Sequence, residues 1–465
     1  VCVIASDRFP GVRGTNAGRA GSGPGAARDL FHAARFAECL TALGTDGDLP
    51  STLLRARCLL RLGMPDAAAT ILRRDVPPQD DACGRTEHAV LCAAAFHALG
   101  DDAESRARLA TARSQADAAG GAAEAEVHLL CAAAALRTND LAAAGERARR
   151  ALQSPALRND LYGMPLAAVR AQVFELLATI AESREEYAVQ AELLQAGWQS
   201  LYRDPHEPPD RFVEARLLER LAPLVLELCI DGVAPQLHAA LLHPWPQPLS
   251  GVPWTVQRTL AWQAALAGDM GPAFARLLAC VTSAPSETRR LVSIADRAQL
   301  AHDIRNDIVA YEELRRLSVL ARDVDWSSVT DEGRRVLLAI ATAFAPEDAP
   351  VARAWLSLYR RRGMTASAAA PRRRCALEAD AEAAVLEAES RGDRALLLRR
   401  RTLQRWEELG HRLRAAREAL AIARLSGAPD DVRNARALCA AFPKSWLHRR
   451  ARRMPAARGS EASGA

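Results

Sequence analysis

Residues Ala125 to Leu152 read AEVHLLCAAAALRTNDLAAAGERARRAL, and their reading decides the fold. The first half places small or apolar residues at nearly every position. Arg137-Thr138-Asn139-Asp140 interrupts it, and the pattern restarts at Leu141 with one polar face. Ala and Leu are strong helix formers, whereas Asn and Asp favour the left-handed or capping conformations that end one helix and begin the next. The stretch therefore predicts two antiparallel helices joined by a sharp turn. Ala133, in the first of them, is expected at a tight helix crossing where an aspartate would be an unpaired buried charge.

The same punctuation recurs outward from this hairpin. Leu53 to Leu62 and Asp66 to Arg74 form a pair broken at Gly63-Met64-Pro65, with Pro65 at a helix start where its missing N–H costs nothing. Thr86 to Leu99 and Asp101 to Ala116 form a pair broken at Gly100. Gly63 and Gly100 lie 37 residues apart, and Gly100 and Asn139 lie 39 apart. Similar turns return at Gly268-Asp269 and Gly392-Asp393. One hairpin cannot bury its apolar face alone, so a helix–turn–helix unit recurring at thirty-odd residues implies an all-α solenoid in which neighbours cover each other. Ala27 to Leu43 reads as one helix whose apolar positions spread round most of its circumference, which suits a helix covered on several sides.

Several residues carry a family resemblance. Ala56 through Gly63 to Ala68 has the Ala-x-x-x-x-x-Leu-Gly-x-x-x-x-Ala pattern that resembles the centre of a tetratricopeptide repeat, and Tyr187-Ala-Val-Gln-Ala191 is similar to the start of a second repeat helix. The likeness extends in degenerate form from about Ala27 to Ala441. Trp406-Glu-Glu-Leu-Gly410 through Ala415-Ala416 resembles repeats of large bacterial LuxR-type regulators. The resemblance implies an α-solenoid of tetratricopeptide-like hairpins whose groove holds a partner protein or peptide, in a setting of bacterial signalling or transcriptional control. The ATP-binding and DNA-binding domains that frame such regulators are not evident in this sequence.

The chain divides by composition. Residues 1–26 are a flexible Gly-rich lead-in; 27–203 form an N-terminal repeat array; 204–253 form a Pro-rich joint with helices; 254–447 form a second array; 448–465 are a basic, disordered tail. Proline clusters at Pro205 to Pro209 and Pro244 to Pro253 mark the joint, because proline cannot continue a helix. Thr330 is expected to cap a helix after Asp325, and Thr365 to Pro371 form a small-residue linker.

Composition bounds the chemistry. Among 465 residues, apolar types make up 49% and exclude wholesale disorder, while the formal net charge of +5 is mild for this length. Lys444 is the single lysine, and arginines are interleaved with acidic residues almost everywhere. None of the 10 cysteines forms a Cys-x-x-Cys pair; Cys58, Cys92, Cys131, Cys229, Cys280 and Cys439 sit in apolar helical runs, where a thiol is a small hydrophobe. No hydrophobic leader opens the sequence and no apolar run reaches the eighteen or so residues of a membrane span. A cytoplasmic protein without membrane contact is expected.

The candidates for chemistry are weak. Gly18, Gly21, Gly23 and Gly25 lack the Lys-Ser/Thr of a phosphate loop and the strand of a dinucleotide fold. Cys83, His88, Cys92 and His97 form the best metal-type cluster. His88 and Cys92 share a helix face, but His97 points elsewhere and the spacing is not that of a zinc site. His206, His238 and His243 would need to converge to support a hidden hydrolase or transferase. No catalytic, cofactor-binding or metal-ligating residue is assigned, no cofactor is expected, and the chain reads as a non-enzyme. The alternative function is nucleic-acid binding by Arg360–Arg362, Arg372–Arg374, Arg399–Arg401 and the arginines of 449–453. Interleaved Glu378, Asp380, Glu382, Glu387 and Glu389 would cancel much of that field.

Overall fold

A computed structural model describes residues 24–44, 48–119, 121–153, 166–203, 209–230, 232–242, 245, 249, 251–326, 331–363 and 372–455. Among the described residues there are 23 helices, α1 to α23, and no strand. The opening stretch is the hairpin α7 (Gly121–Arg137) and α8 (Leu141–Gln153), with its turn at Asn139. The chain before it holds α1 (Pro24–His32), α2 (Phe36–Leu43), α3 (Leu49–Arg61), α4 (Pro65–Arg74), α5 (Ala82–Ala98) and α6 (Asp102–Ala119). After it come α9 (Leu166–Ser183), α10 (Tyr187–Ser200), α11 (Arg211–Glu227), α12 (Ala234–Leu241), α13 (Gly251–Ala267), α14 (Met270–Thr282), α15 (Glu287–Asp303) and α16 (Asp307–Arg322). The C-terminal part holds α17 (Asp331–Phe344), α18 (Ala349–Gly363), α19 (Arg372–Ala388), α20 (Gly392–Glu408), α21 (Arg412–Ser426), α22 (Pro429–Cys439) and α23 (Trp446–Arg453).

One turn geometry recurs. A residue with positive φ ends a helix at Ala34, Gly63, Gly100, Asn139, Glu185, Cys229, Gly268, Arg305, Ser390 and Gly410. At each, its N–H bonds the carbonyl three residues back, and the next N–H bonds the carbonyl five back at 2.8–3.0 Å. This is the Schellman arrangement, which satisfies the last carbonyls of a helix and reverses the chain at once. Six of these residues are not glycine, so each such turn carries local strain of order 1 kcal/mol that the packed hairpin holds in place. Ala34 splits the expected single helix Ala27–Leu43 into α1 and α2. The turn expected at Gly392 lies at Ser390 instead; Gly392 opens α20, and a Cβ there would meet nothing.

Odd-numbered helices pack on one another in sequence, α3 on α5, α5 on α7, α7 on α9, α9 on α11 and α11 on α13, and each even-numbered helix backs its predecessor except α12, which packs on α13. Fully buried alanines make these approaches close. Ala132 of α7 meets Ala144, Ala148 and Ala151 of α8 in one small cluster with Val173 of α9. Ala132, not Ala133, is the fully buried position; Ala133 is partly exposed. Ion pairs cross between odd helices on the same side. Arg57 of α3 donates to Glu87 of α5 at 2.8 Å and lies 2.5 Å from Glu126 of α7. Arg216 and Arg220 of α11 reach Glu175 of α9, and Arg258 of α13 reaches Asp296 of α15.

The file of hairpins curls back on itself. Arg61 at the end of α3 donates two hydrogen bonds, 3.0 and 2.8 Å, to Asp210, 149 residues later. Phe31, Phe36 and Phe212 surround the Arg61 guanidinium, and Asp210 also caps α11 by accepting from Phe212 and Val213 N–H. At the other end of α11, Glu227 accepts two bonds from Arg373 of α19, and His411 Nδ1 lies 3.0 Å away. Helix α21 packs on α11 and α23 packs on α13, closing the second turn. Thus α11 touches both the beginning and the end of the described chain.

The expected tail is in part structured. Residues Trp446–Arg453 form α23, capped by Ser445, with Trp446, Leu447 and Ala451 buried against α13, α14 and α21. Arg449, Arg452 and Arg453 are exposed and Arg450 is half-buried beside Trp446, which makes the segment basic without making it unfolded. The glycines of the lead-in up to Gly23, the prolines at 205–208, 244, 246 and 248, Thr330, the segment 364–371 and residues 456–465 lie outside the described residues. Cys58, Cys92, Cys280 and Cys439 are buried; Cys131 is half-buried, and Cys229 sits at a helix-ending turn rather than within a helix. No helix among the described residues is long and apolar enough to cross a membrane.

Candidate functional site

The second turn encloses a cavity of about 1190 Å³. Its wall is built by α11, α13, α15, α17, α19, α21 and α23, each odd helix contributing the face that points to the axis. Helical spacing explains which residues arrive there. Trp254, Arg258 and Trp262 recur every four residues on α13; Arg414, Arg417, Ala421 and Arg424 follow on α21; Trp446, Arg450 and Arg453 follow on α23. Residues three, four and seven apart share a helix face, so one stripe of each helix is turned inward.

The lining alternates tryptophan and guanidinium. Arg417 stands between Trp262 and Trp446, its guanidinium carbon 5.4 and 5.6 Å from the two rings. Arg289 lies 5.2 Å over Trp254, and Arg414 lies 5.0 Å from the ring of Trp406, which is buried behind the wall. Acidic partners hold part of this charge: Arg417 donates to Asp303 at 2.6 Å, Arg258 to Asp296 at 3.0 Å, and Arg424 to Glu387. Burial pushes the Asp303 carboxyl up, opposed by Arg417 and Arg450. Burial also pulls the guanidiniums of Arg414, Arg424 and Arg450 down, with neighbouring arginines adding to the effect. Positive charge is therefore crowded inside the ring.

A second group of buried charges forms the seam of the ring. Glu227 is held well below the usual carboxylate range; burial opposes this, but Arg373, His411 and Arg414 outweigh it. His411 is wholly buried between Tyr187 and Trp406, at ring distances of 5.0 and 5.2 Å, and burial lowers its pKa. In the first turn, burial and the second carboxylate Glu126 raise Glu87 to about 7 against the pull of Arg57. One guanidinium cannot fully compensate two carboxylates in a dry site.

The cluster Cys83, His88, Cys92 and His97 does not assemble. His88 Nε2 lies 2.7 Å from the carbonyl of Leu72, and Cys92 Sγ is 3.8 Å from His88 Nδ1. His97 instead shares its surroundings with Arg137 and Asp102. His206 and His243 lie outside the described residues, and burial lowers the pKa of His238. The C-terminal arginines do not form a free strip. Arg360 pairs with Glu378 and Glu382, Arg372 with Glu185, Arg373 with Glu227, Arg399 with Glu387 and Glu418, and Arg400 with Asp431. His302, Asp307 and Glu347 bring their ligand atoms within 4.8 Å of one another, but two of the three are exposed. Among the described lining residues of the cavity there is neither serine nor cysteine.

The fold defines the class: an all-α solenoid of tetratricopeptide-like helical hairpins, wound tightly enough to close. No protein-family model matches the chain, and comparison with curated proteins gives no match. Among solved structures, the apo form of RapI is similar over 87% of this chain and 97% of its own, at 10% identity and a TM-score of 0.43. The tetratricopeptide domain of P58(IPK) covers 86% and 98% at 13% identity and a TM-score of 0.25. The APC/C hetero-tetramer Cut9–Hcn1 covers 91% and 95% at 12% identity and a TM-score of 0.25.

Proposed function

We propose that the chain is a non-enzymatic protein-interaction scaffold, which holds a partner's helix or extended peptide against the inner face of its solenoid. The single observation that carries this reading is the cavity of about 1190 Å³, walled by one face of seven successive odd helices and lined by tryptophan and arginine. Tryptophan and arginine supply most of the energy at well-packed protein interfaces. Solenoids use such inner surfaces for recognition because each repeat adds one more contacting face. In this reading the protein works in the bacterial cytoplasm, in signalling or transcriptional control, as the likeness of Trp406–Ala416 to LuxR-type repeats suggests. Segment 204–253, which holds α11, is then the joint between the arrays 27–203 and 254–447.

The test is a comparison of two baits. Wild type and Thr342→Trp, which fills the cavity from α17, are used to recover proteins from the native cytoplasm. One protein recovered by wild type and lost with Thr342→Trp, with direct binding shown by the purified pair, is the expected result. Identical recovery by both baits would refute a partner seated in the ring.

A further inference from the structure

We propose that the sector of the ring between the end of α15, α21 and α23 is a binding site for a small phosphate-bearing anion. Arg305, Arg417, Arg424 and Arg450 line this sector, from three separate elements. Arg450 sits in the field of Arg305, Arg417 and Asp303, and Arg424 in the field of Arg450 and Asp303. Two carboxylates answer these four guanidiniums: Asp303 takes Arg417, and Glu387 takes Arg424. Arg305 and Arg450 face the cavity without a carboxylate partner among the described residues. A surplus of two positive charges is left in a half-enclosed space.

Arg305 and Arg424 are exposed and Arg417 and Arg450 half-buried, so these like charges repel at a solvated rim, and the arrangement persists because Trp446 and Leu447 anchor α23 independently. Its missing component is negative. A single carboxylate is answered by one guanidinium fork. A tetrahedral dianion has oxygens pointing in several directions and suits arginines converging from different walls. Binding would join α23 to α15 and α21 by charge as well as by apolar contact. This site does not depend on the scaffold reading: a small anion binds whether or not a protein partner exists.

The experiment is calorimetric titration of the full chain with sodium pyrophosphate at low and raised salt. One site per chain is expected, weakening with salt because the attraction is between charges. Arg450→Gln and Arg305→Gln should each weaken binding about ten-fold or more, the loss of one charge-assisted contact. Arg433→Gln, on the outer face beside Asp430, should bind as wild type does. Far-ultraviolet circular dichroism confirms that each variant is folded. No heat of binding by folded wild type at low salt would overturn the proposal, and so would unchanged affinity in Arg450→Gln. An equal loss in Arg433→Gln would show diffuse attraction rather than a site. A glutamate-rich peptide that binds where pyrophosphate does not would assign the sector to carboxylates and overturn the phosphate reading.

Discussion

Replacing Glu227 by glutamine tests whether the second turn is truly closed by the contacts at the end of α11. The Glu227 carboxylate accepts from Arg373 Nη2 at 2.8 and 2.7 Å, lies 3.0 Å from His411 Nδ1, and lies 3.6 Å from Arg414. These partners come from α19, the α20–α21 turn and α21, so one carboxylate joins three later elements to α11. Glutamine keeps an acceptor but removes the charge, leaving the mostly buried guanidinium of Arg373 without a counter-ion. Breaking one side of a buried pair costs about 3–5 kcal/mol. The retained acceptor places Glu227→Gln near the lower end, about 3 kcal/mol, with Glu227→Ala nearer 5 kcal/mol. The assay is urea denaturation followed by tryptophan fluorescence, since Trp406 meets His411 edge to face at this seam. Adding Arg373→Met to Glu227→Gln should recover about half of the loss or more, because the uncompensated charge is then gone. A single variant within about 1 kcal/mol of wild type would refute the reasoning, as that is the ordinary range of a solvated surface pair.

Two further outcomes follow from buried groups. Glu87 holds its proton to about 7 in the folded chain, whereas an unfolded glutamate releases it near its ordinary value. Between those values the folded state binds more protons at Glu87, so this residue's contribution to stability should grow as pH falls from about 8 towards 5, while buried His32, His88 and His411, whose pKa values burial lowers, act in the opposite direction; urea midpoints of wild type and Glu87→Gln across that range check it, and a difference between the two that does not shift in favour of wild type as pH falls refutes it. Ala132→Asp should destabilise the chain by about 4 kcal/mol, because the new carboxylate would be buried against α8 without a partner. Ala133→Asp, one residue away and partly exposed, should cost less than half as much in the same measurement, and equal effects would show that the buried face is elsewhere.

Local features of the fold were legible in the sequence, and non-local ones were not. The turns at Gly63, Gly100, Asn139 and Gly268 announce themselves because residues that tolerate positive φ stand where the apolar pattern breaks. Glu185, Cys229, Arg305 and Ser390 occupy the same turn, but nothing in their side chains marks a left-handed conformation. Gly392 misled for the converse reason: it is a glycine two residues beyond the position that needs one. The error of one residue between Ala132 and Ala133 has its own cause. In a run of four alanines every position has the same side chain, so composition cannot identify the inward one. Trp446 and Leu447 did signal burial, but the arginines that follow masked it.

The cavity was hidden because it is a property of closure. Arg373 and Glu227 are 146 residues apart, and no local spacing relates them. Trp254, Arg258 and Trp262 stand at four-residue intervals and form the axis-facing side of α13, a signal that the sequence analysis passed over. The arginine clusters pointed to the right part of the chain with the wrong geometry. They do not form an outer strip: Arg360, Arg372, Arg373, Arg399 and Arg400 answer carboxylates, and Arg373, Arg399, Arg449, Arg450 and Arg453 line the cavity.

Helix α11, bearing on both ends of the chain, has a consequence for how this lineage can vary. An open array tolerates gain or loss of a hairpin, since each unit meets only its neighbours. Here, deleting one hairpin between α11 and α21 would rotate Arg373 and His411 away from Glu227, and inserting one would overshoot it. Duplication and excision, the usual currency of repeat evolution, are closed to this stretch, and its length is inherited as a fixed whole number.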